Sequence, residues 1–307
     1  LWLKAFFAPT CSLALAAGQL DRMQTTLVAR ALLFALAASS CSGNAVTVLP
    51  RLRGGEVAPM EDMLTFSHAP LSFFALDKLT PKGPRKNADV GEPADATRSL
   101  CTVGSASAGS WHCTEGGWDS PTPRATTEIF YVIEGAGSVT DTDGEKHAFE
   151  AGDTVILPKG WTGRWDVTKA IHKVWLVHDH PEQPGVETPI RAQIIHLVGD
   201  TSSRCVYDVG PTSVSIWARA PAPPSNTVRD SSGGALLRKA ADDAGYSQFN
   251  RPTTKWMHVV EGVFFVTNAD GSAQRCGPGD TLVVPKGWSG HWDIIETCKA
   301  ISVTIFD

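Results

Sequence analysis

The residues with chemical potential fall into two groups of like spacing. In the first, Arg124 and Glu128 precede Trp161, Gly163 and Trp165. In the second, Arg251 and Lys255 precede Trp288, Gly290 and Trp292. Glu128 and Arg124 offer a carboxylate and a guanidinium for hydrogen bonds to a polar ligand. Lys255 offers a cation for an anion, or an amine for imine formation if it is desolvated; a solvated or ion-paired lysine is the plainer reading. The tryptophans alternate with a glycine, and on a strand that spacing points both indoles to one face. Two indoles across a glycine would leave a flat slot for a planar or sugar-like molecule; the alternative is that they only fill the interior. His178 and His180 form an HxH ahead of Pro181, expected to be solvated unless another element completes a site with them. His291 is expected to face away from the position of Gly290 and to ligate nothing.

What positions these groups is a duplication. Thr126–Gly135 and Thr253–Gly262 align without a gap, and so do Gly152–Val167 (GDTVILPKGWTGRWDV) and Gly279–Ile294 (GDTLVVPKGWSGHWDI). Thr126 and Thr253 lie 127 positions apart, as do Gly152 and Gly279, and Asp143-Gly144 and Asp270-Gly271 keep the same register. Chance does not produce this, so the chain contains a repeated domain. Each copy reads as strands: Phe130–Ile133, Gly137–Thr140, a turn at Asp143-Gly144, Thr154–Leu157, a turn at Pro158-Lys159-Gly160, then Trp165–Val167 and Lys173–Val177. Many short strands with Gly and Pro turns predict a sandwich or barrel. The expected domains are 64–180 with an N-terminal arm and 191–307, joined by a Pro-containing linker at 181–190. The second copy carries about 21 extra residues between Trp217 and Thr253, read as a surface loop, a lid or a partner contact.

Gly152, Pro158 and Gly160, and again Gly279, Pro285 and Gly287, fit G(x)5PxG, and Glu128 with Gly135 fits E(x)6G. In these motifs the chain resembles the cupin superfamily. The WDV ending and the surrounding tryptophans look most like ureidoglycine aminohydrolase-type cupins. The resemblance covers about residues 105–180 and 210–307 and implies an all-β fold of two tandem jelly-roll-like barrels. It also implies a metal held by three histidines and a glutamate, and here the sequence departs. No HxH precedes Glu128, the second-motif histidine position is Gly163 or Gly290, and Glu128 becomes Lys255. The expectation is therefore no bound metal and no cofactor. The aminohydrolase reaction is not carried over, because it would rest on fold alone.

The 307 residues hold 27 Lys+Arg against 32 Asp+Glu. That balance gives no basic face for nucleic acid. Seven cysteines without a CxxC pair exclude a zinc ribbon or a redox pair and read as buried thiols with at most one disulfide. Met23 opens a segment like a signal peptide. Arg30 is followed by the apolar run 31–38 and the small residues 39–43, too short for a membrane span. Residues 1–60 are expected to be a targeting leader with a signal peptide around 23–41, directing the chain to the secretory pathway and on to the outside or to an organelle such as a plastid. The expected function is a metal-free small-molecule-binding or structural module, with an assembly partner as a further expectation. The alternative is a hydrolase or isomerase/epimerase acting on a small polar metabolite, and the residues leave catalysis open. The first copy is the expected ligand site, because it keeps the carboxylate.

Overall fold

The computed structural model describes residues 64–181, 190–197, 203–209, 211–221 and 245–306. The expected leader, most of the expected linker and the extra segment after Pro221 lie outside these residues. Ten strands precede the linker: β1 Ser67–Ala69, β2 Thr80–Pro84, β3 Ala88–Val90, β4 Ala94–Val103, β5 Ala106–Cys113, β6 Gly116–Ser120, β7 Thr127–Asp141, β8 Lys146–Glu150, β9 Asp153–Leu157 and β10 Gly163–His178. Ten follow it: β11 Gln193–His196, β12 Arg204–Val209, β13 Thr212–Arg219, β14 Gly245–Gln248, β15 Thr254–Glu261, β16 Phe264–Asn268, β17 Ala273–Cys276, β18 Thr281–Val284, β19 Gly290–Ile294 and β20 Cys298–Ile305. All described pairings are antiparallel, and no α-helix occurs among the described residues.

The duplication reappears as strand order. The main sheet of the first half runs β11-β9-β7-β10-β5-β4-β2, and that of the second runs β1-β18-β15-β20-β13-β12. The edge strands are exchanged. Ser67–Ala69, from ahead of the first barrel, pairs with β18, and Gln193–His196, from after the linker, pairs with β9. Each half thus covers an open edge of the other, where unpaired backbone groups would otherwise face solvent.

In the first half β7 and β10 are long and pass through both layers of the barrel, bent by register shifts between Val167 and Lys173. Sequence reading broke them into shorter strands, because the bends fall at glycine and charged residues while the ladder continues through them. In the second half the same path is interrupted, and β14-β19-β16-β17 forms a separate sheet. Gly135 and Gly262 mark the bend in each copy. Both have positive φ (96° and 81°), and a Cβ there would lie 2.1 Å from the carbonyl of Ala170 or 2.2 Å from that of Thr297. Only glycine meets both conditions without strain.

The strands Thr154–Leu157 and Thr281–Val284 are apolar runs rather than alternating ones, and the fold explains why. Val155 and Leu157 point into the first barrel, while Ile156 joins a second core shared by the two halves. That shared core includes Ile129, Ile156, Val174, Leu176, Trp256, Val283, Ile301 and Val303. The inner strands β9 and β18 are therefore buried on both faces, and a strand with no solvent face loses its period-two pattern. Tyr131 and His258, equivalent in the repeat, meet across this contact with ring centroids 4.6 Å apart.

His178 and His180 are buried, not solvated as the sequence suggested. His178 Nδ1 bonds Thr212 Oγ1 at 2.7 Å, tying the end of β10 to the second half, and His180 Nε2 bonds Thr127 Oγ1 at 2.8 Å. A short stretch before a proline-rich linker looks exposed; here it is pinned because β10 runs to its last residue against β5 and β7. The five described cysteines are free.

Candidate functional site

Arg124 is placed by the backbone. Its carbonyl accepts from Gly160 N at 2.7 Å, and its own N–H donates to Trp161 O at 3.1 Å. The Pro158–Trp161 turn thus clamps the arginine at the barrel mouth, one helix-like step before Glu128 enters β7. Alternation along β7 turns Glu128, Phe130 and Val132 inward. From β10, Lys173, Trp175 and Val177 face the same space. Glu128 is the junction: Oε1 accepts from Lys173 Nζ at 2.8 Å, and Oε2 pairs with Arg124 Nη2 at 2.5 Å.

Burial alone would raise the Glu128 carboxyl, but Lys173 and Arg124 outweigh it and hold it below the usual carboxylate range. Burial lowers Lys173, ahead of the opposing effect of Glu128, as befits a cation that shares one carboxylate with an arginine. Aromatic faces surround the ammonium. Its Nζ lies 3.7 Å from the centre of Phe130, 4.8 Å from Trp111 and 4.9 Å from Trp165. Trp118 stacks on Trp165 at 6.0 Å with 11° between planes, and Arg85 lies over Trp118 at 4.2 Å. Asp95 holds both Arg85 and the Trp111 indole N–H.

A chamber of about 270 Å3 is lined by Trp111, Trp118, Trp165 and Trp175 together with Glu128 and Lys173. Indoles form much of its wall, and its inner charged groups are Glu128, Lys173 and Arg124, with Thr97 and Ser120 also bordering it. The Nε atoms of Arg85 and Arg124 are buried and unpartnered, which leaves donors for a further molecule.

Of the residues singled out by sequence, the structure brings Arg124, Glu128 and Trp165 to this chamber. Trp161 and Trp288 do something else. Trp161 folds over its own glycine: a Cβ on Gly163 would lie 2.6 Å from the indole. Its N–H donates to Asp141 Oδ1 at 2.6 Å. Trp288 covers Gly290 and donates to Asn268 Oδ1 at 2.7 Å. The flat slot across the glycine is therefore closed in both barrels. Lys255, Arg251 and Trp292 lie together in the second barrel. His291 bonds Ser247 and Asp293, away from the interior.

Sequence reading missed Lys173, Trp111, Trp118 and Trp175. A signal for Lys173 was present. At the offset of 127 it corresponds to Ala300, while Glu128 corresponds to Lys255, so the two halves of one ion pair change together.

The lining does not fit a metal centre of the usual cupin kind. No imidazole or thiolate borders the chamber, its inward carboxylate is engaged by two cations, and an indole covers the second-motif position. Among the described residues, the histidine, cysteine and carboxylate that do come together are His68, Cys276 and Asp280. They lie where β1 meets the second barrel, and their Asp280 is already engaged by His68 at 3.1 Å and by Gly277 N.

With this geometry in place, comparison with known proteins gives one consistent class. The model of the EutQ-like cupin domain matches residues 102–175 and 242–300, one segment in each barrel. A putative glyoxylate-induced protein from Pseudomonas aeruginosa superposes with TM-score 0.55 at 14% identity, over 83% of this chain and 94% of that one. The protein Ylba from E. coli gives 0.53 at 11%, over 79% and 92%. A mutant salicylate 1,2-dioxygenase from Pseudoaminobacter salicylatoxidans, solved with gentisate, gives 0.55 at 12%, over 78% and 82%. No curated protein matches the chain in sequence. The chain has the all-β cupin fold, and a EutQ-like cupin segment matches in each half.

Proposed function

We propose that the protein is a metal-free cupin that binds a small polar molecule in its first barrel. The observation that carries this is the Arg124–Glu128–Lys173 cluster inside an indole-walled chamber, where a cupin metal would otherwise sit. The chamber offers flat apolar faces together with donors and one carboxylate acceptor. That combination suits a molecule with a planar or sugar-like face and both kinds of hydrogen-bonding group. The likeness to ureidoglycine aminohydrolase-type cupins enters as scaffold only; the reaction is not assigned. Targeting of the chain through a leader at 1–60 belongs to the same proposal.

The test is thermal stabilisation on screening sugars and ureides. A ligand at a hundredfold excess over its Kd adds about 2.7 kcal/mol to stability, a shift of a few degrees. Glu128→Gln is expected to abolish the shift and Lys255→Gln to leave it. If only Lys255→Gln abolishes it, the site belongs to the second barrel and this reading is wrong.

A further inference from the structure

The second barrel repeats the clamp but inverts the charge. Arg251 O accepts from Gly287 N at 2.7 Å, and Arg251 N donates to Trp288 O at 2.9 Å, as at Arg124. Lys255 then stands where Glu128 stands in the first barrel, with Ala300 in place of Lys173. The aromatic frame is kept: Lys255 Nζ lies 5.3 Å from the Trp217 ring, and Tyr246 stacks on Trp292 at 5.8 Å with 4° between planes. Trp217 and Tyr246 oppose Ala300 and Trp292 in the ladders, as Trp111 and Trp118 oppose Lys173 and Trp165.

What is gone is the acceptor. Among the described residues no carboxylate or hydrogen-bonding group meets the Lys255 ammonium, although the residue is only 8% exposed. Arg251 is 9% exposed. It gives one N–H to Gln248 Oε1, which also takes the Trp292 indole N–H, and its Nε is buried and unpartnered. The charged groups acting on Lys255 are Arg251 and Arg219, both cations, and burial with their repulsion pushes it down to about 7. The nearby phenol of Tyr246 is pushed up to about 12 and stays neutral. Two buried basic groups with no counter-charge among the described residues are costly, and an anion that enters between them removes the cost.

We infer that the second barrel is a separate site for a small carboxylate-bearing anion, held between Lys255 and Arg251 against the Trp217–Trp292–Tyr246 wall. The site is independent of the reading of the first barrel. Its ligand differs in kind, because the described residues beside Lys255 offer donors and no acceptor carboxylate. Binding draws a proton onto Lys255, since an anion beside the amine favours its charged form.

The probes are acetate and benzoate, titrated calorimetrically into the full chain at pH 6.5 and 8.5. Saturable 1:1 binding is expected, about twentyfold weaker at pH 8.5 because the amine must then be protonated on binding. Lys255→Arg keeps the charge and removes the titration, so it should bind with no such pH dependence. Lys255→Met removes a buried charge, is expected to fold, and should lose binding by at least about tenfold. Absence of saturable binding by either probe overturns the inference. So does a pH dependence that survives in Lys255→Arg, or loss of binding in Trp165→Phe, which would move the site to the first barrel. Failure of the ligand screen on the first barrel leaves these outcomes unaffected.

Discussion

At the scale of single residues, the first barrel gathers three charged side chains into one ion cluster at Glu128. Glu128 satisfies two cations at once, and its removal leaves Lys173 buried with no partner and Arg124 half-buried at the mouth. Breaking such a pair costs about 3–5 kcal/mol, whereas replacing both members by apolar groups of similar size is close to neutral. Glu128→Gln should therefore lower the unfolding free energy by an amount in that range. Glu128→Leu combined with Lys173→Met should recover most of it, even though Arg124 then faces the half-open mouth alone. Urea denaturation of the three variants checks this. If the double variant is no more stable than Glu128→Gln, the cost lies in packing and not in orphaned charge. The linkage sign follows from the lowered Glu128 carboxyl. Its contribution is present above the ordinary carboxylate range and is lost as pH falls through the lowered value.

At the scale of elements, the repeated glycines are of two kinds. Gly262 and Gly271 both have positive φ, at 81° and 86°. A Cβ at Gly271 meets nothing, while one at Gly262 would sit against the backbone of Thr297 and Cys298. Both alanine variants incur the left-handed cost of about 1–2 kcal/mol. Gly262→Ala must also push the start of β20 away from the β15 bend. It should destabilise by at least about 1 kcal/mol more than Gly271→Ala, judged against the strain such positions store. Equal effects in chemical denaturation would show that the bend gives way freely. The E(x)6G spacing was visible in sequence, and the turn glycine of the hairpin was too. What separated them was the approach of a strand some 35 positions further on, which no local pattern encodes.

At the scale of the whole molecule, the exchanged edges and the shared core bind the barrels together. Ala69 is fully buried against the second half, and Leu197 is buried in the same core from the far side of the linker. Lys299 Nζ donates to Leu197 O at 2.5 Å. Separating the barrels would expose Ile129, Ile156, Trp256 and Val283, each of which contributes about 1.5–3 kcal/mol when kept from water. The described barrels should therefore unfold in one calorimetric transition, with equal calorimetric and van't Hoff enthalpies. Two resolved transitions would mean that the shared core holds less than its burial implies. Substituting Ala69 by Asp, which puts a charge into that core, should lower the midpoint for both barrels together.

The sequence by itself determined the architecture. A gap-free repeat at 127 positions, with its turn glycines and prolines, specifies two copies of one β fold, because such turns and apolar runs are local signals that a single chain segment carries. It also showed where the copies differ, at Glu128 against Lys255, and that the metal-binding histidines of the fold are absent from the motifs. Tertiary structure alone decided the rest. Lys173 reaches Glu128 across 45 positions; the repeat hinted that the two change together, and laying β7 beside β10 showed that they form an ion pair. His178 and His180 looked like solvated residues until the second half closed over one of them. The tryptophan–glycine–tryptophan pattern placed indoles inside, yet only the fold showed Trp161 and Trp288 turned back onto their own glycines. Local patterns fix which face a residue takes; what waits on that face is set by strands distant in the chain.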